Sequence, residues 1–170
     1  AIDNPRNAIR SRLGYVPNDR KKAGLLPDLS VKQNISIGIL ERLRKLFWID
    51  GRREQESAET YRGKLNVRCS SLNQRISNLS GGNQQKVMVA RSLAEDCKVM
   101  LLAEPTRGVD VGAKAEIYSL IDALVDSGMA VLLQSSELPE IIRLSNRVVV
   151  FSSGQSRGEL SGAELTQESM

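Results

Sequence analysis

Histidine is missing from all 170 residues, and the only cysteines are Cys69 and Cys97. Without imidazole there is no Ser-His-Asp or Cys-His nucleophile, no histidine-ligated zinc and no histidine general base. The two cysteines have no metal-ligand spacing and read as an ordinary reduced pair of the cytoplasm. Aromatic residues make up 4%, too few for a platform on which single-stranded nucleic acid stacks. No run approaches the roughly 18 apolar residues of a membrane span, and the N-terminal residues lack signal-peptide architecture. Any work at a membrane is therefore expected to come through a partner. Catalysis is left to carboxylates, lysine, hydroxyls, backbone groups or a bound metal.

What is present suits a folded domain. Hydrophobic residues at 41% supply a core and 26% charged residues a solvated surface. The length fits one domain or a compact pair of subdomains. The net charge is +4, but Lys and Arg are interspersed with acids, so no nucleic-acid partner is expected. Internal repeats and low-complexity segments are absent.

Along the chain, residues 1–12 are polar and basic with no clear pattern. Leu13-Gly14-Tyr15-Val16 reads as a short strand, and residues 17–22 as a polar loop leaving its end. Ser30 is a helix cap with Gln33 at the reciprocal capping-box position, and helical periodicity runs on to about Phe47. A charge-rich amphipathic helix facing water is expected from Glu54 to Leu65. Residues 28–92 thus form a mostly helical block, interrupted at Gly51 and across 67–78. Residues 99–103 are an unbroken apolar run, expected to be a strand buried on both faces. A helix follows over 113–125, with Ile117, Leu120, Ile121 and Leu124 on one side. A second buried strand is expected at 130–133, a short helix at 138–144 and a third strand at 148–151. A turn at 152–155 leads into 156–160 as a hairpin at a sheet edge. Strands alternating with helices predict an α/β fold with right-handed crossovers and a mainly parallel sheet.

Two stretches point to chemistry. Leu79-Ser80-Gly81-Gly82-Asn83-Gln84-Gln85-Lys86 is a Ser-Gly-Gly turn running into a helical pattern, with Val87, Val89, Ala90, Leu93 and Ala94 near helical spacing. Ser80 is placed to cap that helix, and Gly81 and Gly82 let backbone N–H groups approach a ligand. A helix start with unpaired N–H groups and a partial positive charge suits phosphate. Taken alone, the same tripeptide reads first as an ordinary capped helix after a flexible turn, since it is common in loops. The second stretch is Glu104-Pro105-Thr106-Arg107-Gly108-Val109-Asp110, at the end of the apolar strand. Ligands of open α/β sheets lie beyond the carboxyl ends of strands, so Glu104 is placed for work, although a structural glutamate fits there as well.

Together and in this order, the stretches resemble ATP-binding-cassette (ABC) ATPases. Residues 79–86 look like the signature motif, 99–104 like the Walker B strand and Gly108-Val109-Asp110 like the D-loop. The longer forms Ser-Gly-Gly-Asn-Gln-Gln-Lys, Glu-Pro-Thr-Arg-Gly-Val-Asp-Val-Gly-Ala-Lys and Ser-Ser-Glu-Leu-Pro-Glu narrow the likeness. They are similar to the C-terminal cassette of bacterial sugar importers of the ribose, galactose and xylose type. Tyr15-Val16-Pro17-Asn18-Asp19-Arg20-Lys21 resembles that group's replacement for the Q-loop. The likeness covers nearly the whole chain.

The resemblance implies a partial P-loop NTPase core with a helical subdomain. Residues 1–27 and 93–160 form a RecA-like lobe without its Walker A strand, 28–92 carry the signature, and 161–170 are a tail. It implies ATP and Mg²⁺ as cofactors of the full assembly. Ser80, Gly81 and Gly82, with Gln84 nearby, would hold the γ-phosphate of an ATP bound mainly by a second cassette, fused or homodimeric. Glu104 would polarise the attacking water at this cassette's own site, and Asp110 would reach across the dimer. Ser136 stands at the switch-histidine position. The 13–27 segment and the helices after it would touch transmembrane permease subunits, so that dimer closure moves them. A periplasmic sugar-binding protein would be an indirect partner, and the protein would lie on the cytoplasmic face of the bacterial inner membrane.

The chain also departs from that pattern. No Gly-x-x-x-x-Gly-Lys-Ser/Thr loop occurs in it, so on its own it is expected to be inactive, with little hold on the β- and γ-phosphates. It reads as the C-terminal part of a cassette, within a longer two-cassette protein. Ala103 stands where Walker B has an aspartate. A methyl group accepts nothing from metal-bound water, and losing such a partner typically costs about 10–100-fold in metal affinity or activity. No residue of this chain is therefore assigned to metal. Ser136 replaces the switch histidine of most relatives, and Asn18 replaces a glutamate. The expectation is a weak or dead site of its own beside a signature that serves the partner. Two other readings compete: a regulatory or docking cassette that has lost hydrolysis, and a soluble ABC ATPase acting on ribosomes. The chromosome-maintenance kind is disfavoured, because no sustained heptad separates Arg20 from Ser80.

Overall fold

The computed structural model describes residues 2–162 and 165–166. Helix α1 (Pro5–Arg10), which no sequence pattern announced, starts because Asn4 accepts a hydrogen bond from the Asn7 N–H and Pro5 presets the first turn. Strand β1 (Leu13–Val16) follows as expected. The polar loop after it is more ordered than its composition suggested. Asp19 accepts from the N–H groups of Lys21 and Lys22 and winds Arg20–Gly24 into a single π-helical turn.

The capping box at Ser30 forms as read: Gln33 N–H donates to Ser30 Oγ at 3.2 Å, and Ser30 N–H donates to Gln33 Oε1 at 2.9 Å. It starts α2 (Val31–Ser36), which passes through a 3₁₀ turn into α3 (Leu40–Leu43). The helix stops there, short of the expected Phe47. Leu46 turns left-handed at φ 55° and folds β2 (Arg44–Lys45) back on β3 (Trp48–Ile49). Apolar period alone cannot tell a buried residue from one at a hairpin tip, and Phe47 and Trp48 are 92% and 80% exposed. Helix α4 (Gly51–Lys64) begins a turn earlier than expected, because Asp50 caps it through the Arg52 and Arg53 N–H groups. Gly51 is thus its first residue rather than an interruption. Ala58 is its one buried residue, so the charged faces meet water as read.

Strands β4 (Val99–Ala103) and β5 (Ala130–Gln134) join β1 in a parallel sheet of order β1-β4-β5. Register aligns Val16 with Leu102 and Leu133, and Gly14 with Met100 and Val131. On this face Val16, Met100 and Leu102 are buried. Tyr15, Leu101 and Leu132 share the opposite face, where Tyr15 is 61% and Leu132 64% exposed. Neither β4 nor β5 is therefore buried on both faces, and β5 alternates between exposed and half-buried as a strand covered on one side.

Helices α5 (Gly81–Ala94), α6 (Val111–Asp126) and α7 (Leu138–Leu144) connect the strands. The core is continuous from Val16 and Ile35 through Ile76 and Val87 to Met100 and Ile117. Each such side chain contributes about 1.5–3 kcal/mol of burial. Strand β6 (Arg147–Ser152) was expected in the parallel sheet, but among the described strands it pairs only with β7 (Gln155–Ser161), antiparallel. The turn Ser153-Gly154, positive in φ at both residues, makes that local pairing immediate. Of the expected tail 161–170, Ser161 ends β7, and residues 163–164 and 167–170 lie outside the described residues. No described helix is long and apolar enough to cross a membrane.

Candidate functional site

Buried Leu79 anchors the turn that enters α5. Ser80 sits at the N-cap in extended backbone, exposed, but its side chain makes no cap. Its Oγ instead accepts from Asn83 Nδ2 at 2.9 Å, and Asn83 Oδ1 accepts from the Arg68 N–H at 2.7 Å. The positive end of a fourteen-residue helix is therefore left without a capping side chain.

Both glycines sit at close approaches. A Cβ on Gly81 would lie 2.9 Å from an Arg20 guanidinium nitrogen and 3.2 Å from the Gly108 carbonyl oxygen. One on Gly82 would lie 2.7 Å from the Ala113 Cβ. The start of α5 is thus pressed against the loop after β4 and against the first turn of α6. That turn is capped by Asp110, whose Oδ1 accepts from the Ala113 N–H at 2.9 Å. The result is a cleft of about 280 Å³ lined by Ser80, Gly82, Asn83, Asp110, Arg68 and Glu116, among others. A larger groove of about 740 Å³ opens on the other side of Ser80, toward Arg62, Cys69 and Gln74.

Charge fixes the floor. Buried Lys86 donates to Glu116 Oε2 at 2.7 Å and to the Asn66 carbonyl at 3.2 Å, while Arg68 reaches Glu116 Oε1 at 2.9 Å. The hydrogen bond from Lys86, and then its charge, hold the Glu116 carboxyl below the usual glutamate value. Gln84 turns inward in this structure. Its amide donates to the carbonyls of Ile76 and Leu79, at 3.3 and 3.1 Å, and its Oε1 accepts from Arg20 Nε at 3.2 Å.

Glu104 leaves β4 in left-handed backbone, φ 49°, with its N–H donating to the Gln134 carbonyl at 2.8 Å. Its carboxylate accepts from Gln134 Nε2 at 3.0 Å and Ser136 Oγ at 3.2 Å. The sequence-derived residues therefore gather in two groups. Ser80, Gly82 and Asp110 line the cleft, Gly81 packs beside it against Arg20 and the Gly108 carbonyl, and Glu104 and Ser136 meet beyond the carboxyl ends of β4 and β5. The loop 104–110 joins them. Sequence reading missed Arg20, Arg68, Asn83 and Glu116 as parts of this arrangement. Arg20 lay inside a loop already singled out, but no spacing marked it.

Ala103 offers no oxygen, and no cluster of three carboxylate, cysteine or histidine side chains exists among the described residues. A terminal phosphate does fit the open start of α5, whereas the loop that cradles the β- and γ-phosphates has no counterpart in the sequence.

Residues 2–107 match the ABC transporter family. The chain is 50% identical over 164 residues to a ribose import ATP-binding protein, RbsA 2, of Rubrobacter xylanophilus, covering 96% of this chain and 32% of that protein. It is 44% identical over 167 residues to the xylose import ATP-binding protein XylG of Thermoanaerobacter pseudethanolicus, covering 98% and 33%. It thus spans about a third of the length of the curated relatives it matches. Among solved structures it matches the ADP- and Pi-bound dimer of the ATP-binding cassette MJ0796 at a TM-score of 0.75, with 21% identity over 94% of this chain and 67% of that one. The α/β architecture is accordingly that of an ABC ATPase. Since the family match runs from the N-terminal helix through the Ser80 turn to the Glu104 loop, this chain belongs to the ABC transporter family.

Proposed function

We propose that the chain is part of the C-terminal cassette of an ABC ATPase that drives import of a simple sugar, and that its signature turn completes an ATP site whose phosphate loop comes from a second cassette. The observation that carries this is the uncapped start of α5, exposed at Ser80, walled by Asp110 and packed so closely that a Cβ on Gly82 would meet the Ala113 methyl. Ser80 Oγ and the first-turn N–H groups hold the γ-phosphate, Gln84 steadies the turn from behind, and Asp110 faces the partner cassette. Mg²⁺ would be held on the partner's side, where it would offset the charge of the transferred phosphate. Glu104, aligned by Gln134 and Ser136, polarises water at this cassette's own site, which Ala103 leaves weak. Residues 28–92 form the arm that carries the signature, beside a lobe made of 1–27 and 93–160. Permease subunits dock near the 13–27 segment, a sugar-binding protein delivers cargo from the far side, and the assembly works from the cytoplasmic face of the membrane. Names of the relatives, as ribose and xylose import proteins, support the sugar class.

The test is a labelling experiment in the full-length protein, with Cys69 replaced by Ser and Ser80→Cys introduced. Mg-ATP is expected to protect the new thiol from maleimide, because the nucleotide and the second cassette cover it. Labelling at an unchanged rate would overturn the reading. A docking cassette without hydrolysis is the second reading, favoured by Ala103. It predicts the same protection but no turnover.

A further inference from the structure

We infer that Arg20 is a positioning residue: its guanidinium braces the signature turn and the loop 104–110 into one surface. Its three nitrogens reach two segments, one on α5 and one in the loop 104–110. Nε donates to Gln84 Oε1 at 3.2 Å, Nη1 to the Arg107 carbonyl at 2.9 Å and Nη2 to the Gly108 carbonyl at 3.1 Å. Gln84 extends the brace to the carbonyls of Ile76 and Leu79, on the stretch that leads into Ser80. One planar fork therefore sets the spacing between both walls of the cleft, Ser80 on one side and Asp110 on the other.

The arginine is itself held. It opens the π turn that Asp19 caps, and the Leu25 N–H closes that turn on the Arg20 carbonyl at 2.7 Å. The turn is fastened to α5 at Gly24, where a Cβ would lie 2.2 Å from the Met88 sulfur. Displacing the turn moves the guanidinium, and with it both walls. Gly81 is glycine in part to admit this guanidinium. Lysine can substitute only in part, since a single ammonium does not satisfy three acceptors in one plane.

In its activity arm the inference rests on the proposed function; in its exchange arm it does not. Arg20→Met and Arg20→Lys are made in the full-length protein. The amides of Gln84, Arg107 and Val109, hydrogen-bonded to the carbonyls of Ser80, Glu104 and Thr106, are expected to exchange about tenfold faster or more in Arg20→Met, and less so in Arg20→Lys, while α4 keeps its protection. In the assembly, kcat is expected to fall with little change in KM for ATP, because the arginine touches the loops and not the nucleotide. Unchanged exchange at those amides, a uniform rise along the chain, or undiminished kcat in Arg20→Met would each overturn the brace. Absence of ATP hydrolysis in the unaltered assembly would count against the functional reading, and exchange would still decide the role of Arg20.

Discussion

Gly82 has the Ala113 methyl where its own side chain would go. Gly82→Ala is predicted to lower stability by about 1–3 kcal/mol through overpacking; an unchanged urea midpoint would contradict the contact. Glu116 makes a prediction in pH. Its folded value is depressed, so its contribution is complete above the ordinary 4.5 and is lost as pH falls through the lower folded value. The melting-temperature gap between the unaltered chain and Glu116→Gln should therefore be full at neutral pH and close in acid. A gap constant down to the lowest pH would show that the Lys86 pair is not its source. Residues such as Ser30 and Gln33 were legible because their partners are three positions apart. Arg20 was not, because its acceptors lie 64, 87 and 88 positions away and no local pattern encodes them.

Elements were legible where period and punctuation agree. Strand β1 and helix α7 match their expected residues, and the hairpin turn at Ser153-Gly154 forms where it was read. The failures arise because an apolar pattern does not encode which surface it meets, nor where the chain turns back on itself. Residues 130–133 read as doubly buried because they are apolar throughout, yet one face of β5 is open. Helical periodicity reads on to about Phe47, yet residues 44–49 form a hairpin whose tip is exposed. That hairpin yields a prediction of its own. Leu46 holds φ 55° while 81% exposed, and a non-glycine residue in that region costs about 1–2 kcal/mol. Leu46→Gly is expected to raise stability by about 1 kcal/mol in urea titration, and a fall would show that the leucine is stabilised by contacts outweighing its strain.

At the scale of the whole molecule, the family and the position of the Ser80 turn were readable from motif order alone, while the cleft was not. It depends on two glycines and an arginine meeting a carbonyl and a methyl across three segments. On the proposed reading the chain supplies only one side of a nucleotide site, so by itself it should show no Mg-ATP-dependent rise in melting temperature at millimolar nucleotide; a clear shift would mean a complete site within these residues. The most direct measurement of the central claim compares ATP hydrolysis by the full transport assembly carrying Ser80→Arg with that carrying Glu104→Gln. Ser80→Arg is predicted to abolish turnover, because the signature serves the working site, and Glu104→Gln to cost far less. Equal loss from both would contradict the account.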